Sequence, residues 1–215
     1  MNKLLLLLLC VPLIGFGQQT YVPDDNFEQA LINLGYDNVL DDSVLTANID
    51  TVTNLEVIQQ SISDLTGIEA FASLQILDCR YNQLTTLDVS QNTLLTSLIC
   101  LNNQLTSLDV SANTLLQLVD AHNNQLTSFD ASQNPYLTHL CCLNNQLISF
   151  DVRNGNNSSI TFFNASGNSN LYCIDVDDPV WSAANWTNID AWASFSTNCA
   201  MALGCTDPNA SNYDS

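Results

Sequence analysis

Leu95-Thr-Ser-Leu98-Ile-Cys100-Leu-Asn-Asn103-Gln-Leu105 decides the fold, because it returns 21 residues later as Leu116-Gln-Leu-Val119-Asp-Ala121-His-Asn-Asn124-Gln-Leu126. It also stands at Leu74, Leu77, Cys79 and Asn82, and at Leu137, Leu140, Cys142 and Asn145. Self-similarity at a fixed period of this length means a stack of like units. Looser copies occur at Val52, Leu55, Val57 and Gln60, and at Ile160, Phe163, Ala165 and Asn168 after a two-residue insertion near Gly155, so six units are counted.

The template Leu-x-x-Leu-x-Leu-x-x-Asn resembles the leucine-rich repeat family, over roughly residues 21–200. The stretch Ile62-Ser-Asp-Leu65-Thr-Gly-Ile68 resembles the internalin-like subgroup of bacterial secreted and surface proteins. The implied fold is a repeat solenoid, mainly β, with a parallel concave sheet.

The pattern has its own physical reading. One short strand with a return loop cannot bury its apolar side alone, and stacking supplies the burial. Strand alternation points Leu98 and Cys100 inward and Ile99 outward. Cys79, Cys100 and Cys142, with Ala121 completing the row, are read as buried thiols. Asn82, Asn103, Asn124 and Asn145 stand where the chain leaves the strand, where an amide can satisfy loop backbone groups that have no sheet partner. A second half-template (Leu84, Leu87, Val89, Asn92; Leu105, Leu108, Val110, Asn113; Leu126, Phe129, Ala131, Asn134) predicts an ordered return side of extended or polyproline-like segments.

The expected organisation is a signal peptide at 1–17, an N-terminal cap at 18–51, repeats at 52–172, a C-terminal cap at 173–200, and a tail at 201–215. Lys3 followed by an apolar run to Phe16 reads as a secretory signal. That run is too short for the roughly 20 residues of a membrane-spanning helix. Leu9 before Cys10 disfavours lipid attachment. In the first cap, Asp25 with Glu28 resembles a capping box. Phe27, Ala30, Leu31 and Leu34 follow helical spacing, and Gly35 suits the helix end. In the second, Trp181, Trp186, Trp192 and Phe195 supply bulk for a terminal plug. Export makes a Cys173–Cys199 disulfide the expected closure, with Cys205 the alternative partner. The tail from Gly204 to Asp214 resembles the opening of an acidic, cysteine-bounded module of secreted Bacteroidetes proteins. Its closing cysteine is missing before Ser215, which predicts a fragment of a longer protein.

The chain carries 22 acidic residues against three basic ones, a formal charge of −19. Loss of Lys3 with the signal makes it one unit more negative. Such a surface repels nucleic acid and anionic membranes and leaves cations, basic proteins and neutral glycans as partners.

In leucine-rich repeats the concave face usually meets the ligand. Here its outward positions are Ile76, Asp78 and Arg80; Ser97, Ile99 and Leu101; Leu118, Asp120 and His122; His139, Cys141 and Leu143. An apolar middle of Ile99, Leu101, Leu118 and Leu143 would mark protein contact. Asp120 and Cys141 should be neighbours, with His122 diagonal to Cys141. His122 and His139 are four positions apart in register, roughly 13 Å, too far to share a metal. Cys141 with one histidine is the remaining metal candidate, and a polar strip within a binding face is the preferred reading. Asp88, Asp109, Asp130 and Asp151 also recur every 21 residues. They are weak calcium candidates, set against the commoner use of aspartate to hold turn amides.

No phosphate loop, nucleophile elbow or zinc-protease helix occurs. The sequence therefore predicts a secreted or cell-surface, noncatalytic and monomeric binding module for a protein or glycan, with no cofactor. The alternative is a noncatalytic targeting or adhesive segment of a larger exported enzyme.

Overall fold

The computed structural model describes residues 17–200. The signal segment up to residue 16, Cys10, Cys205 and the 201–215 tail lie outside the described residues. Twelve three-residue strands and three short helices follow one another: β1 (Gln19–Tyr21), α1 (Asp25–Asn33), β2 (Ser43–Leu45), α2 (Thr46–Ile49), β3 (Asn54–Glu56), β4 (Ile76–Asp78), β5 (Ser97–Ile99), β6 (Leu118–Asp120), β7 (Ser128–Asp130), β8 (His139–Cys141), β9 (Ser149–Asp151), β10 (Phe162–Asn164), β11 (Cys173–Asp175), α3 (Pro179–Asn185) and β12 (Ser194–Ser196).

The chain winds as a solenoid of about seven turns with the leucine-rich repeat fold. Strands β3, β4, β5, β6, β8 and β10 form one six-stranded parallel sheet, and β7, β9, β11 and β12 a four-stranded parallel sheet on the return side. Register follows the repeat: Leu55, Leu77, Leu98, Val119, Leu140 and Phe163 lie side by side. All six are buried, as are Cys79, Cys100, Ala121 and Cys142 one row further on. The return side is thus extended as expected, and from Ser128 onward it is a true sheet. The winding also passes beyond the six units counted: β11 and β12 pair in parallel within the segment expected to be only a cap.

Two asparagine rows satisfy the loops between coils. The Asn103 Nδ2 donates to the Cys79 and Cys100 carbonyls at 3.1 and 3.0 Å, and its Oδ1 accepts the Leu84 N–H at 3.0 Å. Asn82, Asn124, Asn145 and Asn168 repeat this arrangement. On the return side Asn113 Nδ2 donates to the Val89 and Asn92 carbonyls, and Asn134 Nδ2 to those of Val110 and Asn113. A third row was not foreseen. Tyr81, Asn102, Asn123 and Asn144, each just before a loop asparagine, have φ between 53° and 59°. The left-handed region favours asparagine among residues with a side chain. Asn123 and Asn144 each donate an amide N–H to the Oδ1 of the preceding member, at 3.0 and 2.9 Å. At the next position, Gly167, a Cβ would come within 2.2 Å of the Asn144 Oδ1.

The ends close as expected in outline and differently in detail. Asp24, not Asp25, caps α1, its Oδ1 accepting from the Asn26 and Phe27 N–H groups. The other oxygen accepts from Ser63 and Asp64 of the first coil. Glu28, expected to close a capping box, is fully buried and accepts the N–H groups of Asp41, Asp42 and Ser43. Gly35 ends the helix at φ 80°. At the far end Cys173 and Cys199 form the disulfide. Trp186 stacks on Phe163 at 4.2 Å and donates its Nε1–H to the Ile160 carbonyl. Trp181 and Phe195 pack beside it, but Trp192 is 51% exposed and takes no part in the plug. No helix among the described residues is long and apolar enough to cross a membrane.

Candidate functional site

The six-stranded sheet turns alternate side chains away from the core, and its register assembles them into rows. One row runs Asn54, Ile76, Ser97, Leu118, His139, Phe162; the next runs Glu56, Asp78, Ile99, Asp120, Cys141, Asn164. A third follows just beyond the strands, where Tyr81, Asn102 and Asn123 donate N–H groups to the carbonyls of Leu101, His122 and Leu143. Of the twelve residues expected on this face, the register places eight in the first two rows, and Arg80, Leu101, His122 and Leu143 follow two residues beyond the second. Asn54, Glu56, Phe162 and Asn164 were missed. The looser first and last templates place them by the same count from Leu55 and Phe163.

Exposure differs from the expectation. Leu101 is 6% and Cys141 5% exposed, so neither belongs to an open apolar patch, although neither joins the core. The repeat sets Leu101 between Arg80 and His122 of the adjoining coils, and the register sets Cys141 between Asp120 and Asn164. The open apolar surface is instead Ile76, 39% exposed, and Phe162, 40% exposed, with Leu118 between them in the same row.

Charges on the face are paired locally. Arg80 Nε lies 3.4 Å from Asp78 Oδ2. Burial raises the Asp78 pKa above its ordinary value, the Arg80 N–H and charge oppose this, and Glu56 and Asp120 add to the rise. His122 Nδ1 is 2.6 Å from Asp120 Oδ1. His139 stacks on Phe162 with centroids 4.2 Å apart, and burial lowers its pKa while Asp120 pulls the other way. Burial pushes the Cys141 thiol up to about 11, so at neutral pH it is protonated and a poor nucleophile.

As expected from register, His122 and His139 do not come together. The donor atoms of Asp120, His122 and Cys141 do, all lying within 4.8 Å of one another.

The aspartate row behaves as turn chemistry. The Oδ1 atoms of Asp88, Asp109, Asp130 and Asp151 accept the N–H two residues on, from Ser90, Ser111, Ser132 and Arg153, at 2.8 to 2.9 Å. The Ser90 and Ser111 N–H groups hold the Asp88 and Asp109 carboxyls below their ordinary pKa. Asp151 also binds the Arg153 guanidinium. Clefts of 430 and 570 Å³ lie beside this row and at the C-terminal cap, and neither is lined by outward residues of the six-stranded sheet.

No protein-family profile matches the chain. Internalin J of Listeria monocytogenes is 40% identical over 73 residues, which are 34% of this chain and 8% of that protein. The solved functional domain of internalin J, described as including a cysteine ladder, superposes with a TM-score of 0.61 at 35% identity, over 74% of this chain and 38% of that one. An internalin F structure from the same species (TM-score 0.52, 19% identity, covering 79% of this chain and 55% of that one) shares the fold. So does the ectodomain of the receptor kinase SOBIR1 from Arabidopsis thaliana (0.52, 19%, covering 74% of this chain and 99% of that one). The fold is therefore internalin-like. These bacterial relatives come from Listeria and give the expected Bacteroidetes affiliation no support.

Proposed function

We propose that this chain is a noncatalytic binding module of an exported protein, which captures a protein or glycan on the outward face of its six-stranded sheet. Leucine-rich repeat folds of the internalin type serve protein–protein interaction. The observation that carries the proposal for this face is its row Ile76, Ser97, Leu118, His139 and Phe162. It joins apolar and aromatic groups to the acids Glu56, Asp78 and Asp120 of the neighbouring row, two residues further along the strands. A rigid row of apolar anchors with a polar margin suits protein recognition.

Export is favoured by the signal-like residues 1–17 and by the Cys173–Cys199 bond, since such bonds persist in oxidising compartments. The strongly acidic surface favours a basic or neutral partner and a monomer kept apart by its own charge.

The test uses the tag-free protein on arrays of cell-surface proteins and glycans, then repeats every hit with Ile76→Glu and Phe162→Glu. Both side chains are open, so the variants should keep the parent's melting temperature and lose the hit. A hit that survives both changes would move the binding surface elsewhere.

A further inference from the structure

Asp120, His122 and Cys141 form a cluster that the face's recognition role does not require. Asp120 is its hub. It sits opposite Cys141 in the parallel register of β6 and β8, its Oδ1 meets His122 Nδ1 at 2.6 Å, and a carboxylate oxygen lies within 4.8 Å of the Cys141 sulfur. Read from the sequence alone, Cys141 had one histidine for company. The structure supplies a third donor of a different kind.

We propose that Asp120, His122 and Cys141 form a transition-metal site that takes Zn²⁺ through one oxygen, one nitrogen and one sulfur, leaving the fourth tetrahedral position open on the binding face. Three arguments converge. The donor set is mixed, and Zn²⁺ is borderline soft and accepts carboxylate, imidazole and thiolate together. The spacing fits: all three donor atoms lie within 4.8 Å of one another. Two donors on a tetrahedral ion with ~2.0 to 2.3 Å bonds stand roughly 3.3 to 3.8 Å apart. The 2.6 Å Asp120–His122 pair must open slightly, and both side chains are partly exposed, at 19% and 24%, with room to turn.

The third argument is position. Asp120 ends β6, His122 follows two residues later with its carbonyl held by the Asn102 N–H, and Cys141 ends β8 opposite Asp120, so the backbone bonds that join the coils also set the donors. Calcium is the wrong ion here, since a thiol and an imidazole displace the oxygens it needs.

The proton balance is simple. The Cys141 thiol gives up one proton to solvent as the Zn–S bond forms. His122 binds through a lone pair of one ring nitrogen. Asp120 binds as the carboxylate. One proton leaves per ion bound. The open coordination position can take water or a donor group from a bound partner.

The test needs no knowledge of the partner, so it can fail independently of the recognition role. Tag-free, chelator-washed full chain is titrated with Co²⁺ and followed by absorption. The expected result is one equivalent bound, with sulfur-to-cobalt charge transfer and the intense visible bands of tetrahedral cobalt, both displaced by Zn²⁺. Calorimetry in two buffers of different ionisation heat should report one proton released per Zn²⁺. Cys141→Ser should abolish the charge-transfer band. Asp120→Asn and His122→Ala should each weaken Zn²⁺ binding by about tenfold or more. These two changes, at partly exposed side chains, keep the test decisive if Cys141→Ser fails to fold, which circular dichroism reports. A missing charge-transfer band in the parent, a band surviving in folded Cys141→Ser, or Zn²⁺ affinity unchanged in both other variants overturns the site.

Discussion

Asn103 reaches back a full coil to Cys79: its Nδ2 donates to the Cys79 carbonyl at 3.1 Å while its Oδ1 takes the Leu84 N–H at 3.0 Å. Both groups are buried and belong to the preceding coil. Asn103→Ala orphans the Leu84 N–H, whereas the Cys79 carbonyl keeps the Asn82 Nδ2 as a donor, and an unpaired buried backbone group costs about 1 to 3 kcal/mol. Urea unfolding of the variant should show a loss of that size. A loss within error of zero would mean that water enters the loop and replaces the amide.

The left-handed row makes the opposite kind of prediction. Tyr81 holds φ 59° where the next three coils use asparagine. A left-handed residue with an ordinary side chain costs roughly 1 to 2 kcal/mol, which asparagine partly avoids. Tyr81→Asn would also give the Asn102 amide a new acceptor one coil back. The variant should melt higher than the parent by calorimetry, with about 1 kcal/mol gained.

Acid should loosen the joint between the N-terminal cap and the first coil. Burial pushes the Asp24 pKa up, but the hydroxyl and N–H of Ser63 and the N–H groups of Phe27 and Asp64 outweigh it and bring the net value below the ordinary 3.8. A carboxyl depressed by folding contributes stability above its unfolded pKa and loses it as pH falls through the folded one. Asp24→Ala should therefore lose about 1 kcal/mol of cap at neutral pH and show a flatter decline of stability below pH ~4 than the parent. Parallel curves for the two proteins would show that the acid loss arises elsewhere.

Leu101 and Phe162 stand on the same sheet face and should respond differently to charge. Leu101 is 6% exposed, so Leu101→Glu buries an unpaired carboxylate and should lower stability by several kcal/mol. Phe162→Glu places the same charge in water and should leave the urea midpoint close to the parent's. Equal midpoints for the two variants would contradict the burial of Leu101.

The row thiols should be chemically silent. Burial raises Cys79 to about 12 and lifts Cys100 and Cys142 well above the ordinary 9.0. The thiolate is the reactive form. Iodoacetamide at pH 8 should leave these three unmodified in the native protein and label all of them in urea, as read by peptide mass mapping.

How much of this was legible in the chain depends on what a residue's position is measured against. The partners of Leu98, Val119 and Leu140 followed from the 21-residue count, because parallel pairing of identical coils admits no other register. The adjacency of Asp120 and Cys141 came with it. The true cap was hidden because Asp24 and Asp25 are the same residue type side by side. Only the loop at Ser63, far along the chain, favours the first. The covering of Leu101 was hidden for a related reason. Alternation says which way a side chain leaves the strand but not how large its neighbours are once folded over it. The count carried past the insertion near Gly155 to Asn168 and then found no further copy of the template, so β11 and β12 were read as a cap when they continue the winding.

The asparagines all face one way. Every amide described serves the coil laid down before its own, and Asp190 does so for the last one, accepting the Gly167 and Asn168 N–H groups. A coil is thus unfinished until its successor arrives. A chain emerging from the N-terminus would carry one raw turn at its growing tip, and cutting it anywhere within the repeats would strip the remaining end of its seal rather than leave a shorter copy of the whole.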